Sequence, residues 1–245
     1  MIRVGIVGAR GRMGAEVVRA VQETTDVDLV AAIDLAEDFS VVADAGAQVI
    51  VDFTTPDAVM ETLERAISSG IHAVVGTTGF DDERLEIVRS WCVRSPEVGV
   101  LIAPNFGIGA VLMMKFAALA APLFDSVEII ELHHPGKVDA PSGTATHTAR
   151  LVARARAGLA AAPDATTHEV EGARGAVIDG VRVHSVRARG LVAHQEVIFG
   201  GPGETLTIRH DSLDRSSFMP GVLLGIREVS KHRGLTVGLA DYLPG

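Results

Sequence analysis

Residues 2–14 read Ile2-Arg3-Val4-Gly5-Ile6-Val7-Gly8-Ala9-Arg10-Gly11-Arg12-Met13-Gly14, an apolar run that breaks into a G-x-x-G-x-x-G pattern. The apolar run is typical of a buried strand, and the valines that follow Gly14 recur at helical spacing. A glycine turn between a strand and a helix lets the backbone approach a phosphate, whose charge the first N–H groups of the helix can bind. The stretch therefore predicts a strand–turn–helix unit that can hold a pyrophosphate.

The same alternation of strand and helix continues to residue 102. Strands are predicted at 29–33, 48–51, 73–75 and 98–102, and helices at 56–68 and 82–93. Such alternation is typical of a doubly wound parallel sheet, a Rossmann-type fold that binds its ligand at the carboxyl ends of the strands. Four loops follow the first strand and the strands at 29–33, 73–75 and 98–102, and they begin at Gly8, Asp34, Gly76 and Ala103. Their convergence on one edge of the sheet predicts a dinucleotide site there.

Asp34 and two arginines bear on the choice of dinucleotide. Asp34 lies twenty residues after Gly14, where a carboxylate can accept hydrogen bonds from an adenosine ribose. Arg10 and Arg12 are interpreted either as solvated charges or as contacts to a pyrophosphate or to the 2′-phosphate of NADPH. Because the carboxylate disfavours that phosphate and the arginines favour it, both NADH and NADPH are expected as cofactors.

The second half of the chain has a different pattern. Helices are predicted at 107–122, 144–157 and 217–231, and strands at 125–132, 181–186, 194–199 and 204–209, with a surface loop at 160–173. Strands without intervening helices indicate an α+β domain with a mixed or antiparallel sheet. We predict a dinucleotide-binding domain at 1–106 and 214–245, and a substrate-binding and oligomerisation domain at 107–213. The open face of the second sheet favours a homo-oligomer.

Residues 133–144 concentrate charged groups directly after a predicted strand. They read HHPGKVDAPSGT and bring His133 and His134 close to Lys137, in a chain with only three lysines among its 22 Lys and Arg residues. A histidine that titrates near neutrality and a lysine can both transfer protons, which an arginine cannot. Ser142-Gly143-Thr144 opens the next predicted helix, whose N–H groups and hydroxyls can hold a carboxylate. The segment predicts a site for a small anion beside proton donors.

Simpler interpretations of this segment stay open. His133 and His134 can be ordinary histidines at a strand end, and Asp139 can serve only as a turn residue before Pro141. Metal ligation is disfavoured, because adjacent residues of a strand point to opposite faces and no acidic residue lies at a metal-ligand spacing. No metal site is therefore predicted.

The composition excludes several classes of protein. A net charge of −9 argues against a nucleic-acid partner and against binding to an anionic membrane surface. Cys92 is the single cysteine, so the chain has no internal disulfide. No run approaches the roughly 20 apolar residues of a membrane span, and because the sequence enters a predicted strand at residue 2, no signal peptide is expected. A cytoplasmic location is expected.

Several of these segments together resemble one enzyme family. Gly8–Gly14, residues 76–80, residues 103–106 and above all residues 131–145 are similar, in order, to the 4-hydroxy-tetrahydrodipicolinate (dihydrodipicolinate) reductases of bacterial lysine biosynthesis, and most of all to their actinobacterial branch. The resemblance implies reduction of 4-hydroxy-tetrahydrodipicolinate, with loss of water, to tetrahydrodipicolinate by NADH or NADPH. It also implies a homotetramer formed through the sheets of the second domain.

The resemblance implies roles for individual residues as well. His133 would be the acid/base residue and Lys137 a proton donor. The carboxylates of the substrate would be bound by His134, Ser142, Gly143 and Thr144. The implied cofactor-binding residues are Gly8, Ala9, Arg10, Gly11, Arg12, Met13, Asp34, Gly76, Thr77, Thr78, Ala103, Pro104, Asn105 and Phe106.

One position departs from the family pattern. Members that favour NADPH often carry an arginine directly after the ribose-binding acid, where this chain has Leu35, so a preference for NADPH is not implied. Two other functions compete: another nicotinamide-dependent reductase of a small carboxylic acid, and a nucleotide-sensing protein without catalysis. The histidine and lysine cluster disfavours the first, and the lack of a basic helix-turn-helix segment disfavours the second.

Overall fold

The computed structural model describes residues 1–243, which form two compact units. The first unit comprises Met1–Ile108 together with the described residues from Arg215 onward, and the second comprises Gly109–Asp214. The helices and strands, in chain order, are β1 Ile2–Val7, α1 Arg12–Gln22, β2 Val27–Ile33, α2 Ser40–Asp44, β3 Val49–Asp52, α3 Val59–Ser68, β4 His72–Val75, α4 Asp82–Arg94, β5 Gly99–Ile102, α5 Ile108–Ala120, β6 Ser126–His133, α6 Gly143–Ala155, β7 Ala176–Ile178, β8 Val181–Arg187, β9 Ala193–Gly201, β10 Glu204–Ser212, α7 Met219–Glu228 and β11 Gly234–Val237. The assignment of a ligand to each unit stays a prediction.

The first unit is built on a six-stranded parallel sheet with the strand order β11-β5-β4-β3-β1-β2. Its central strands are buried on both faces, and the side chains of Ile50, Val74 and Leu101 are completely inaccessible. Continuous runs of valine, isoleucine and leucine are typical of a parallel sheet that is covered on both faces. The predicted Rossmann-type fold is confirmed.

The sequence analysis missed two elements of this unit. β11 runs parallel to β5, with Gly234 opposite Gly99 and Val237 opposite Ile102, and supplies an outer strand of the sheet. The equally short β3, β4 and β5 were predicted because they recur in a regular alternation with helices, whereas β11 lies outside that alternation, so no strand was predicted after the helix at 217–231. The five-residue helix α2 is equally short, and Val42 is its one buried residue.

The second unit contains a five-stranded mixed sheet with the order β10-β9-β6-β8-β7. β6 and β8 are parallel, and the other neighbouring strands are antiparallel. Helix α6 packs on one face of this sheet, where Gln195 of β9 donates a hydrogen bond of 2.8 Å from its amide to the hydroxyl of Thr148. The predicted mixed sheet is confirmed, although its three-residue strand β7 was not predicted.

The other face of the second sheet carries apolar side chains. Ile130 and Leu132 of β6 alternate with residues that face α6, because successive side chains of a strand point to opposite faces. They are partly exposed, as is Ile198 of β9, and Val186 of β8 is 38% exposed. This face is open within the second unit.

The helices are all short. Even α5, which is strongly apolar, has thirteen residues, whereas a membrane span needs about 20. None of the helices in residues 1–243 is long and apolar enough to cross a membrane.

Candidate active site

The turn between β1 and α1 has room only for glycine at two positions. Gly8 has a φ of +83°, in the left-handed region that glycine adopts readily. A Cβ atom on Gly14 would lie 1.9 Å from the carbonyl oxygen of Gly8. Helix α1 begins directly after Gly11, with no side chain capping its first N–H groups and no acidic residue in its first turn. The turn and the helix start therefore form a compact cradle that suits a phosphate.

Asp34 lies at the end of β2 and holds the glycine turn. Its carboxylate accepts a hydrogen bond of 3.1 Å from the backbone N–H of Arg10. The Arg10 guanidinium, which is 71% exposed, lies 3.4 Å from Asp34 and 3.0 Å from Glu37. The backbone N–H of Asp34 and then Arg10 lower the pKa of Glu37. Two carboxylates thus surround this arginine, and the sequence analysis predicted only one of them.

These two carboxylates line a cleft of mixed character. Its other lining residues are Val7, Ile33, Leu35, Phe39, Ala58, Glu61, Thr62 and Arg65, and Leu35 is 59% exposed. Arg12 is exposed as well. The position that follows the predicted ribose-binding acid is therefore apolar and open to solvent.

Asp52 joins the loop after β3 to the predicted cofactor loop that begins at Gly76. Its buried carboxylate accepts hydrogen bonds from the Thr77 hydroxyl at 2.7 Å, from the Thr54 hydroxyl at 2.8 Å and from the Thr54 backbone N–H at 2.9 Å. Burial raises the pKa of Asp52. The hydroxyl of Thr77 is therefore directed inward, whereas Thr78 beside it is exposed.

Two aromatic rings pack at the same edge of the sheet. The rings of Phe53, after β3, and Phe106, after β5, have centroids 5.9 Å apart. A Cβ on Gly76 would lie 2.0 Å from the ring of Phe53, so this glycine lets the ring approach the backbone. In the loop after β5, Pro104 is exposed and Asn105 accepts a hydrogen bond of 2.7 Å from the backbone N–H of Gly107. The sequence analysis did not predict a role for Phe53.

In the second unit, the predicted acid/base residue His133 lies against a buried glutamate. Glu131 is completely inaccessible, and its carboxylate forms a hydrogen bond with Nδ1 of His133. Arg187 of β8 donates two hydrogen bonds of 2.8 Å to the two oxygens of the same carboxylate. The backbone N–H of Ser142, the residue before α6, donates a further one at 3.2 Å. One carboxylate thus joins two strands to the start of a helix.

The pKa values follow from this arrangement. Burial raises the pKa of Glu131, but hydrogen bonds from Arg187, Ser185 and His133 outweigh it and leave the pKa below its usual range. Burial lowers the pKa of His133, and the charges of Lys137 and Arg187 act in the same direction, against an opposing effect of Glu131. The pKa of His133 is lowered overall, so its imidazole is neutral near pH 7.

The remaining predicted residues surround the start of α6. Lys137 lies 2.6 Å from the carboxylate of Asp139, which lowers the pKa of that carboxyl group. The hydroxyl of Ser142 accepts a hydrogen bond from the backbone N–H of Ala145 and so caps α6. Of the predicted substrate-binding residues, His134 and Gly143 are exposed, Thr144 is partly exposed and Ser142 is buried. Within the described part of the chain, no three His, Cys, Asp or Glu side chains are arranged to hold a metal ion.

The sequence analysis missed two members of this cluster. Glu131 precedes His133 by two residues in a strand, so their shared face could have been inferred from the alternation of side chains. Arg187 lies 56 residues from Glu131. It reaches the cluster because β6 pairs with β8, where it stands opposite His133. No local pattern in the sequence indicates that pairing.

Comparison with known proteins gives one consistent result. The family model described as "Dihydrodipicolinate reductase, N-terminus" matches residues 2–106, and the one described as "Dihydrodipicolinate reductase, C-terminus" matches residues 109–243. Curated proteins named 4-hydroxy-tetrahydrodipicolinate reductase are similar over almost their whole length. Those of Nocardia farcinica and Corynebacterium efficiens are 62% and 60% identical over 244 residues, 99% of this chain and 98% of theirs.

Solved structures give the same result. The dipicolinate-bound dihydrodipicolinate reductase from Paenisporosarcina sp. TG-14 is similar with a TM-score of 0.91 and 41% identity, over 99% of this chain and 100% of that chain. A probable dehydrogenase from Thermotoga maritima has a TM-score of 0.63 at 12% identity, over 98% of this chain and 92% of that one. The second likeness concerns the fold alone.

Proposed function

Because the chain belongs to the dihydrodipicolinate reductase family, we propose that it reduces 4-hydroxy-tetrahydrodipicolinate, with loss of water, to tetrahydrodipicolinate on the diaminopimelate route to lysine. The resemblance seen in the sequence is confirmed at the level of the family. The observation that carries the proposal is the cluster in which Glu131 and Arg187 hold His133 beside the start of α6. A transferable proton and an anion-binding helix start are what reduction of an unsaturated dicarboxylate requires.

The first unit fits a nicotinamide dinucleotide as cofactor. The glycine turn is a cradle that a Cβ on Gly14 would fill, and the uncapped start of α1 suits the pyrophosphate. Asp34 would accept hydrogen bonds from the adenosine ribose, and the loops that begin at Gly76 and Ala103 would help to hold the cofactor. When bound, the reduced cofactor supplies a hydride.

The second unit supplies protons and holds the substrate. His133 exchanges a proton with the substrate carbon next to the one that is reduced, and Lys137 is a second proton donor in the same pocket. The carboxylates are bound by His134, by the hydroxyl of Thr144 and by the N–H groups that begin α6 at Gly143. Ser142 supports them from its buried position as the cap of α6. A relative in the family has been solved with dipicolinate, a pyridine dicarboxylate, bound.

The reaction is tested by giving the protein the condensation product of pyruvate and aspartate semialdehyde and following nicotinamide absorbance. We expect oxidation of NADH or NADPH in proportion to the substrate added, and loss of turnover with intact cofactor binding in His133→Ala and Lys137→Ala. No oxidation by the native protein would refute the proposal. Turnover with another small unsaturated acid alone would favour the rival reductase, and cofactor binding without any turnover would favour a nucleotide sensor.

We also propose that the chain forms a homotetramer through the open face of the second sheet. The partly exposed Ile130, Leu132 and Ile198 support this, since a sheet face with such side chains is normally covered. Ile198→Glu is expected to give a smaller species in sedimentation velocity, and a native protein that sediments as a monomer would contradict the proposal. The cytoplasmic location stays a prediction, which fractionation of producing cells would test.

A further inference from the structure

The carboxylate of Glu131 is surrounded by hydrogen-bond donors. Oε1 accepts from Nη2 of Arg187 and from the backbone N–H of Ser142, and Oε2 accepts from Nη1 of Arg187 and contacts Nδ1 of His133. A guanidinium and a peptide N–H can only donate. Three of these four contacts come from obligatory donors, and the Ser185 hydroxyl adds a further hydrogen bond. Both oxygens thus face obligatory donors, which favours the ionised carboxylate.

An ionised Glu131 decides which nitrogen of His133 carries hydrogen. Because the carboxylate can only accept, Nδ1 of His133 must donate to it. In the neutral imidazole, the lone pair is then on Nε2, the nitrogen that faces away from Glu131. The side chain of Glu131 is completely inaccessible, so water does not compete for this hydrogen bond.

The negative charge of Glu131 by itself would favour a protonated imidazole at His133, and Arg187 offsets that charge. Its two parallel hydrogen bonds neutralise the carboxylate, which is the geometry in which a guanidinium binds a carboxylate most strongly. The charged groups that face His133 are Glu131 on its own strand, Arg187 on β8 and Lys137 in the following loop. Two cations against one anion favour the neutral ring.

We propose that Glu131 is a positioning residue that holds His133 as its Nδ1–H tautomer, so that Nε2 is the nitrogen that exchanges the proton with the substrate. Only the proton exchange between Nε2 and the substrate rests on the proposed function. The tautomer itself is a property of the protein without any ligand. A purely structural Glu131, which did no more than anchor Ser142 and β8, would leave the tautomer of His133 unspecified.

The tautomer is measured directly in the native protein. Labelling with ¹⁵N-histidine and assignment by comparison with His133→Gln gives the two ring nitrogen shifts of His133 above its pKa. We expect Nδ1 to be protonated and Nε2 to be bare. The opposite pattern, or an even mixture of the two tautomers, would overturn the proposal without any need for an active enzyme.

Glu131→Gln is the variant that separates positioning from anchoring. An amide cannot accept from all of these donors, and its NH₂ group is best placed at the Oε2 position towards His133, because the Oε1 position faces two obligatory donors, Arg187 Nη2 and the Ser142 N–H. The imidazole is then expected to switch to the Nε2–H tautomer. We expect kcat to fall roughly 100-fold, with the KM for the reduced cofactor changed less than about twofold.

Glu128→Gln is the matched control, since Glu128 lies on the same strand and also binds a histidine and an arginine, His184 and Arg174. It faces away from Glu131, and its replacement is expected to leave kcat within about twofold. If Glu131→Gln fails to fold, Glu131→Asp takes its place, because it keeps the charge. The Asp variant should keep the Nδ1–H tautomer and more activity than Glu131→Gln in any preparation that folds.

The outcomes separate the two proposals. Native protein that does not oxidise the cofactor refutes the proposed reaction, while the tautomer measurement still decides the role of Glu131. Native protein that turns over, combined with a Glu131→Gln variant that keeps the Nδ1–H tautomer or full kcat, refutes the positioning role alone.

Discussion

At the scale of single residues, Gly14 is a position in the glycine turn that leaves no room for a side chain. A methyl group there would lie 1.9 Å from the Gly8 carbonyl oxygen, so the turn has to move. We expect Gly14→Ala to lower the free energy of unfolding by about 1–3 kcal/mol and to weaken NADH binding at least tenfold. Thermal unfolding without cofactor and a fluorescence titration with NADH measure the two effects.

Gly11→Ala is the control for that variant. Its Cβ would lie 3.2 Å from the same carbonyl oxygen, a contact that a shift of a few tenths of an ångström relieves. The Tm of Gly11→Ala should therefore stay clearly above that of Gly14→Ala. Equal Tm values for the two variants would show that the crowding at Gly14 is not what requires glycine.

Leu35 and Glu37 are expected to set the preference between NADH and NADPH. A 2′-phosphate next to Asp34 would meet a second carboxylate at Glu37 and find no cation at Leu35. We expect Leu35→Arg combined with Glu37→Gln to raise the ratio of kcat/KM for NADPH to that for NADH by about tenfold. Glu86→Gln, at an exposed ion pair on α4, should leave the ratio unchanged. If the double variant keeps the native ratio of kcat/KM for NADPH and NADH, Leu35 and Glu37 do not set the cofactor preference.

At the scale of elements, the start of α6 depends on Ser142. Ser142 is the N-cap residue of this helix, and its hydroxyl accepts a hydrogen bond of 3.2 Å from the Ala145 N–H. We expect Ser142→Ala to cost about 1 kcal/mol and to lower the Tm by about 3 °C. Ser90→Ala, at an exposed serine within α4, should be neutral or slightly stabilising because alanine favours the helix. A Ser142→Ala protein as stable as the native one would contradict the capping role.

The elements that could be predicted from the sequence are the long ones and those that recur in a regular order. β1 was predicted with both of its ends, since an apolar run bounded by Gly8 has few other interpretations. The four-residue strands β3, β4 and β5 were predicted because they alternate with helices. β7 and β11 lie outside that alternation, and α2 has only five residues, too few for a period of 3.6 to appear. Their positions come from pairing and packing with distant parts of the chain.

At the scale of the whole molecule, stability is expected to decline on acidification in two stages. Burial lowers the pKa values of His72, His133 and His210 below the usual 6.5. For these bases the stabilisation is complete above 6.5 and is lost as the pH falls below it. The lowered pKa of Glu131 acts later, since its contribution is present above 4.5 and is lost below that value.

The test is the Tm as a function of pH in about 0.5 M salt, which screens the repulsion that a net charge of −9 adds near neutrality. We expect the Tm to fall from about pH 7.5 to about pH 5.5, and more steeply below about pH 4.5. His210→Gln should flatten the first stage, whereas replacement of the exposed His168 by Gln should not. A Tm that rises on acidification in this salt would contradict the lowered pKa values of the buried histidines.

The composition of the candidate site shows where sequence reasoning ends. The HHPGK and SGT segments were predicted because their members are close in the sequence and share one chemistry. Glu37 escaped notice because its role depends on the position of Arg10, and Arg187 because it depends on the order of strands in the sheet. Contacts that join distant segments need the tertiary structure.

The late position of β11 has a consequence for the order in which the protein is made. About 130 residues separate the end of β5 at Ile102 from the start of β11 at Gly234. A ribosome that adds 5–20 residues per second needs roughly ten seconds for that stretch. During this time β5 lacks its outer neighbour, so its edge is open to pairing with other nascent chains. The unit that is begun first is therefore the last to be completed.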